Sequence, residues 1–424
     1  MCGHTYKISV SLGTGETLKK TLMFWSRNLN AGFTVALVAL PLAIAFGESS
    51  SIGAAAGITT AIFAGLIAAI FGGSRYQVSG PTGAMTVVLI PLTLKYGPTG
   101  VLFAGLLAGV ILLIAGLLKL GHHIHKLPTS VIEGFSAGIA VVIALQQVGW
   151  TLGVSVPPAD HVYQTAWQAL QYWLNRPALV SLLVATLCAL AVALGLKLFP
   201  KLPISVLILT VATAVNYWGG LGLATIPKIV NPLGSINFGF LSISNHFAEL
   251  IVPAIGIATL GAFEALISAK IADKMVGPTA VHDSDRELIG QGLANLVVPF
   301  LGGVPATAAL ARTAVNVRSG ASSRVAAAAH SIMLAIMVLL LSPLVSLIPL
   351  TALAGVLLAT AYNMVKWKEL KQIASASKLD SLLVIICLVL TVIVDLTTAL
   401  ISGVLMWIAL RKTKLAQGEQ DYEL

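Results

Sequence analysis

The chain has 424 residues, of which 57% are hydrophobic and only 10% charged, with a mean hydropathy of +0.93. Soluble domains are about 25% charged, so a water-soluble globule is excluded. The net charge of +9 comes from basic residues scattered between apolar runs, not gathered on one polar face as a nucleic-acid groove requires. Cys2, Cys188 and Cys387 show no paired spacing, so neither a disulfide framework nor a metal site is expected.

In chain order, residues 1–28 lack a basic stretch followed by a cleavable apolar core, so they are expected to remain as a cytoplasmic N-terminal segment. Apolar runs then recur at about the 20 residues a helix needs to cross a ~30 Å hydrocarbon layer. They are predicted near 29–46, 53–72, 80–95, 98–119, 129–150, 177–197 and 204–222. A second set follows near 249–272, 286–302, 305–318, 324–343, 345–364, 380–394 and 396–411, leaving a short tail at 412–424. The expectation is an all-α polytopic membrane protein with 14 spans, seven in 29–222 and seven in 249–411. With the N-terminus inside, most Lys and Arg, among them Lys19, Arg27, Arg75, Lys119, Lys274 and Lys366, fall inside, whereas Lys95, Arg176 and Lys228 fall outside. The positive-inside rule then places both termini in the cytoplasm, and the inner (plasma) membrane is the expected location.

The third span of each set is short and opens on a Gly/Pro break: SGPTGAMTVVL at Ser79–Leu89 and GGVPATAALARTAVN at Gly302–Asn316. Matched breaks in two halves point to a transporter site on an inverted repeat. Proline is tolerated in a helix's first turn, so Pro81 and Pro305 read as starts of half-helices deep in the membrane. Free N–H groups at that depth must line a cavity or meet a ligand, and two positive helix ends aimed at one point suit an anion. Ordinary kinked helices are the plainer alternative.

Arg312 lies inside the tenth span, and an intramembrane arginine is a functional candidate by default. It either raises the positive potential at the site or pairs with Glu264 to fix packing, and both roles are compatible. Glu264 shares a helix face with Ser268 one turn on, and a buried carboxylate either pairs with a cation or holds a proton. Asp273, His282, Asp283, Asp285, Arg286 and Glu287 read as a solvated loop, His122–His125 as a basic interfacial run, and Asp395 as a turn residue. Gln146 and Gln147 read as polar contacts between helices.

Several motifs together resemble the SulP or solute-carrier-26 anion transporters. They are ALPLAIAFG (Ala39–Gly47), QVSGPTGAMTVVL (Gln77–Leu89), LPTSVIEGFSAGIAVVI (Leu127–Ile143), ELIGQGLANLVVPFLGGVPATAALARTAVNVRSGA (Glu287–Ala321) and IPLTALAGVLLATAYNMV (Ile348–Val365). The resemblance implies two inverted seven-span repeats, with spans 1–4 and 8–11 as a core and the rest as a gate. It also implies an anion between the starts of spans 3 and 10, near Thr82, Gly83 and Ala84 on one side and Thr307, Ala308 and Ala309 on the other. Phe46 takes the place of a flanking aromatic, Arg312 that of the span-10 arginine and Glu264 that of the span-8 acidic residue, while Glu264 and its helix-face neighbour Ser268 are the expected ion-coupling pair.

Two departures matter. The cytoplasmic STAS domain usual in the family is not expected, since the sequence stops at Leu424. Glu264 stands where sodium-coupled bicarbonate members tend to carry Asp, which favours a proton or exchange over sodium as the coupling partner. The expected function is secondary transport of bicarbonate or sulfate, with a small carboxylate third, by alternating access and with no cofactor. An anion channel and a dicarboxylate/proton symporter are the alternatives on the same fold, a homodimer stays open, and nothing in the motifs suggests an enzyme.

Overall fold

A computed structural model describes residues 14–417 except 125–128, 158, 160, 200–201, 230, 232, 279 and 395. Its first half holds α1 (Thr14–Ser49), α2 (Ala54–Phe71), strand β1 (Ser79–Gly80), α3 (Gly83–Leu117), α4 (Gly121–Ile124) and α5 (Thr129–Gln146). Then come α6 (Val148–Leu152), α7 (Val162–Asn175), α8 (Leu179–Leu198) and α9 (Ile204–Gly219). The second half holds α10 (Phe247–Val276), α11 (Ser284–Val297), strand β2 (Thr307–Ala308), α12 (Leu310–Arg318) and α13 (Arg324–Val345). It closes with α14 (Leu350–Met364), α15 (Trp367–Ala376), α16 (Lys378–Ile393) and α17 (Leu396–Gln417).

All fourteen predicted spans fall on helix, and seven of the helical stretches are long and apolar enough to cross a membrane by length and composition. The sequence boundary between the third and fourth spans is a break inside α3 at Gly97, whose φ of 66° and ψ of −174° suit glycine, with Pro98 next in line and unable to donate a hydrogen bond. Two features differ from expectation. Helix α1 begins at Thr14, well before residue 29. Helices α7 and α15 were not foreseen, because a search for long apolar runs passes over short amphipathic ones. In α7 only Ala166 and Ala169 are buried, while Trp167 and Tyr172 stay exposed.

Burial follows the logic of a lipid solvent. Along α8, Leu183, Leu187, Leu190 and Leu194 form an exposed stripe at helical spacing, while Ser181, Ala185, Cys188 and Val192 face inward. The largest side chains point out and the small ones pack, because apolar surface gains nothing by leaving hydrocarbon and close backbone approach takes over. Helices α3 and α11 show this. A Cβ on Gly109 would lie 2.7 Å from the Leu296 amide nitrogen, and one on Gly292 would lie 2.7 Å from that of Leu113.

The helices pack in two groups. In the first, α3 lies against α10 and α11, α1 against α2 and α13, and α12 against α1 and α10. In the second, α5 packs on α14 and α16, α8 on α9 and α14, and α17 on α16.

Candidate functional site

Inside the first group the chain twice abandons helix, and the two extended segments meet. Strands β1 and β2 pair antiparallel, with Ser79 opposite Ala308 and Gly80 opposite Thr307. The Ala309 N–H extends the ribbon by donating to the Val78 carbonyl at 2.9 Å. Ser79, Gly80, Thr307 and Ala308 are all buried.

Irregular backbone at such depth has to be satisfied by protein, and a ring of side chains does so. Asn295 grips Ala306 at both ends, its Nδ2 donating to the carbonyl and its Oδ1 accepting from the N–H, each at 2.8 Å. Gln77 Nε2 donates to the Ala265 carbonyl at 2.8 Å and Asn316 Nδ2 to that of Tyr76 at 2.7 Å. Gln291 Nε2 donates to Ser79 Oγ at 2.7 Å and to Glu287 Oε1 at 2.9 Å. Glu287 Oε2 in turn accepts from the N–H groups of Gly73 and Ser74 at 2.9 and 3.0 Å.

The placement of Glu287 in a solvated loop is therefore corrected: it is 1% exposed and holds the turn before β1. Its neighbours also have structural tasks. Asp283 caps α11, Asp285 pairs with His122 Nδ1 at 2.8 Å, and Asp273 accepts from His282 Nδ1 at 2.7 Å. His125 and Asp395 lie outside the described residues.

The helix starts fall later than the prolines. The N-cap of α3 is Thr82, one residue after Pro81, and α12 begins at Leu310, five residues after Pro305. The ribbon accounts for the shift, since residues 307–308 are held in strand pairing and helix begins only beyond it. Arg312, seven residues after Pro305, consequently sits in the first turn of α12. The two starts differ in capping. Thr82 Oγ1 accepts from the Met85 N–H at 3.3 Å, while α12 has Ala309 at its N-cap and no side-chain cap.

Arg312 is 1% exposed. Its Nη2 donates to the Pro81 carbonyl at 2.7 Å, and its Nη1 has no protein partner. No Arg312–Glu264 ion pair occurs within 4.0 Å among the described residues, so the direct pairing weighed from sequence is not formed. Glu264 Oε2 instead accepts from Thr82 Oγ1 at 2.9 Å. The two intramembrane charges thus hold adjacent residues of one strand exit, Pro81 and Thr82.

Ser268, expected beside Glu264, donates to Thr313 Oγ1 at 3.2 Å. Thr313 Oγ1 also accepts from the Val78 N–H at 3.1 Å. Thr307 Oγ1 donates to the Gly261 carbonyl at 2.8 Å. Gly83 and Ala84 form the buried first turn of α3. Phe46, 6% exposed, and Ile143 of α5 close over Gly83: a Cβ built there would lie 3.1 Å from Phe46 Cε1 and run into Ile143 Cδ1. The structure therefore gathers Phe46, Thr82, Gly83, Thr307, Ala308, Ala309 and Arg312 around the ribbon and its exits. Sequence reasoning missed Ile143, one aliphatic among many, and His330 of α13, whose place in AAAAHSIML marked it as an ionisable residue in an apolar run.

The Sulfate permease family model matches residues 25–387. The chain belongs to that family. Among its relatives, YvdB of Bacillus subtilis, whose name assigns it provisionally to sulfate transport, is 35% identical over 392 residues, covering 91% of this chain and 73% of YvdB. The bicarbonate transporter BicA of Picosynechococcus is 31% identical over 398 residues, covering 88% of this chain and 68% of BicA. The solved transmembrane domain of a cyanobacterial BicA superposes with a TM-score of 0.79 at 29% identity, over 88% of this chain and 96% of that one. SLC26A9 shares the fold, with a TM-score of 0.83 at 16% identity over 98% of this chain and 72% of that one. The chain is a multi-pass membrane protein of this fold.

Proposed function

We propose that this sulfate permease family member is a secondary transporter of a small inorganic anion, bicarbonate or sulfate, held between the starts of α3 and α12. The observation that carries the reading is Arg312: a buried guanidinium in the first turn of a helix with no side-chain cap, with one nitrogen free of protein partners. Helix-start N–H groups and a cation converge where an anion displaced from water needs compensation. Names of the relatives point to the same two cargoes.

In this reading residues 29–222 and 249–411 are inverted repeats, with α3 and α12 supplying the half-helices. The packing group of α1–α3 and α10–α13 moves as a core against the gate containing α5, α8, α9, α14, α16 and α17. Phe46 on the core and Ile143 on the gate close over Gly83 and part as the core slides. Both termini face the cytoplasm, and Glu264 couples anion movement to a proton or to exchange in preference to sodium. Counterflow of labelled sulfate, bicarbonate and fumarate in proteoliposomes tests this. Saturable counterflow of one inorganic anion supports it; flux that does not saturate marks a channel, and fumarate alone marks a dicarboxylate carrier.

A further inference from the structure

Where α2 passes the ribbon lies a second set of buried polar atoms that the anion site does not use. His330 of α13 is 0% exposed, and neither ring nitrogen has a protein partner; the hydroxyl of Ser331, also 0% exposed, has none either. Neutral imidazole carries one donor and one acceptor, and leaving both unmet in hydrocarbon is unfavourable. Gln77 Oε1 and Asn316 Oδ1, on residues that clamp the same ribbon, are unmet acceptors.

Helix α2 shows where this set lies relative to Arg312. A Cβ on Gly80 would fall 2.6 Å from Arg312 Nη1 and 3.2 Å from the Ala61 Cα. A Cβ on Gly65 would fall 2.7 Å from Ser331 Oγ, 3.2 Å from the Ser79 carbonyl oxygen and 4.0 Å from His330 Cδ2. Ala61 and Gly65 are one turn apart on a single face, a rise of about 6 Å. The free Arg312 nitrogen and the His330–Ser331 pair thus lie beside successive turns of α2. Two hydrogen bonds in series through one water span about 5.5 Å. The unmet atoms include donors and acceptors, a mixture that water satisfies and a bare anion does not.

We infer that the place where α2 passes the ribbon is a hydrated pocket in which His330, through ordered water shared with Ser331, accepts from Arg312 Nη1 and positions the guanidinium for the anion. His330 is a positioning residue acting through Arg312, and the inference rests on the proposed anion site. Nη1 carries two N–H groups, so one is held by this water while the other stays available to the anion and Nη2 holds Pro81, fixing the plane of the fork.

The test is transport kinetics in proteoliposomes with labelled sulfate or bicarbonate, whichever the wild-type protein carries. His330→Leu is expected to raise KM about tenfold, the scale of one lost hydrogen bond to a charged group, with Vmax little changed. His330→Gln, which keeps a donor and an acceptor, is expected to restore most of that loss. Wild-type KM in His330→Leu, alongside weakened binding in Arg312→Ala, would overturn the positioning role and leave the anion site standing. Unchanged KM in Arg312→Ala would remove the site itself. Should His330→Leu not fold, radiolytic hydroxyl footprinting of the wild-type protein decides: oxidation of His330 despite its burial supports bound water beside it, and complete protection overturns it.

Discussion

Thr82 and Glu264 share one proton-donating contact that links a helix start to the half-buried carboxylate: Thr82 Oγ1 donates to Glu264 Oε2 at 2.9 Å while accepting from the Met85 N–H at 3.3 Å. One hydroxyl thus caps α3 and satisfies a carboxylate oxygen from α10. Thr82→Val keeps the shape and removes both bonds. It is expected to lower stability by about 1 kcal/mol for the cap and roughly 1–3 kcal/mol more for the acceptor left unmet. Thr82→Ser, which keeps the hydroxyl, should recover most of this, and thermal unfolding in detergent measures both. A Val variant as stable as wild type would show that the contact does not persist in the working protein.

Arg312→Ala removes the cation beside the uncapped start of α12 and leaves the Pro81 carbonyl without its donor. Anion affinity should fall tenfold or more, the scale of about 1.4 kcal/mol or above, while the folded state survives, because the ribbon keeps its strand pairing and clamps. Affinity and melting temperature should be measured on the same preparation. Unchanged affinity with a collapsed melting temperature would leave Arg312 a purely structural residue.

Close quarters at the α3 start give a steric prediction. Phe46 and Ile143 already occupy the space beyond Gly83, so Gly83→Leu should insert into the membrane yet fail to transport. Ala308→Leu, on the buried face of β2, is expected to do the same. Normal transport by either variant would move the anion pathway elsewhere.

How much of this was legible depends on the physics behind each feature. The spans and the Gly97 break were readable because lipid imposes a length and a hydropathy on every crossing, and Gly-Pro is a local signal. Arg312 and Glu264 stood out because ionisable residues inside apolar runs are rare. Their partners did not. Gln77 meets the Ala265 carbonyl 188 positions away, and Asn295 meets Ala306 only because the ribbon leaves that residue's backbone unpaired. Which backbone atoms are stranded is a property of the folded ribbon, and no periodicity in the sequence announces it. The prolines misled for a related reason: they mark where helix can start, whereas strand pairing decided where it does.

Asn295 supplies the cleanest stability test, because it holds both backbone atoms of Ala306 and its side-chain hydrogen bonds go to the backbone of Gln291 and Ala306. Asn295→Leu strands a buried N–H and a buried carbonyl, each at about 1–3 kcal/mol, so a loss of several kcal/mol is expected. Thermal unfolding should show it as a large fall in melting temperature. A stable leucine variant would mean that the backbone around Ala306 finds other partners.

Coupling is the remaining question, and it turns on Glu264 at the strand exit. Glu264 is half-buried, bonded to Thr82 and not ion-paired to Arg312 within 4.0 Å, so its charge has no direct neutralising partner among the described residues. A carboxyl so placed can take up a proton as the anion enters, which keeps the charge moved per cycle low. Ser268, expected beside Glu264 in ion coupling, donates its proton to Thr313 instead. An inward proton gradient should therefore drive uphill uptake, and Glu264→Gln should still exchange anions while losing its response to that gradient. Ser268→Ala should leave any sodium effect unchanged. Uptake into proteoliposomes under imposed proton and sodium gradients, with membrane potential clamped, measures all three variants. Sodium-driven accumulation without a pH effect would reverse the assignment, and accumulation under neither gradient, with counterflow intact, would make the protein an obligate exchanger.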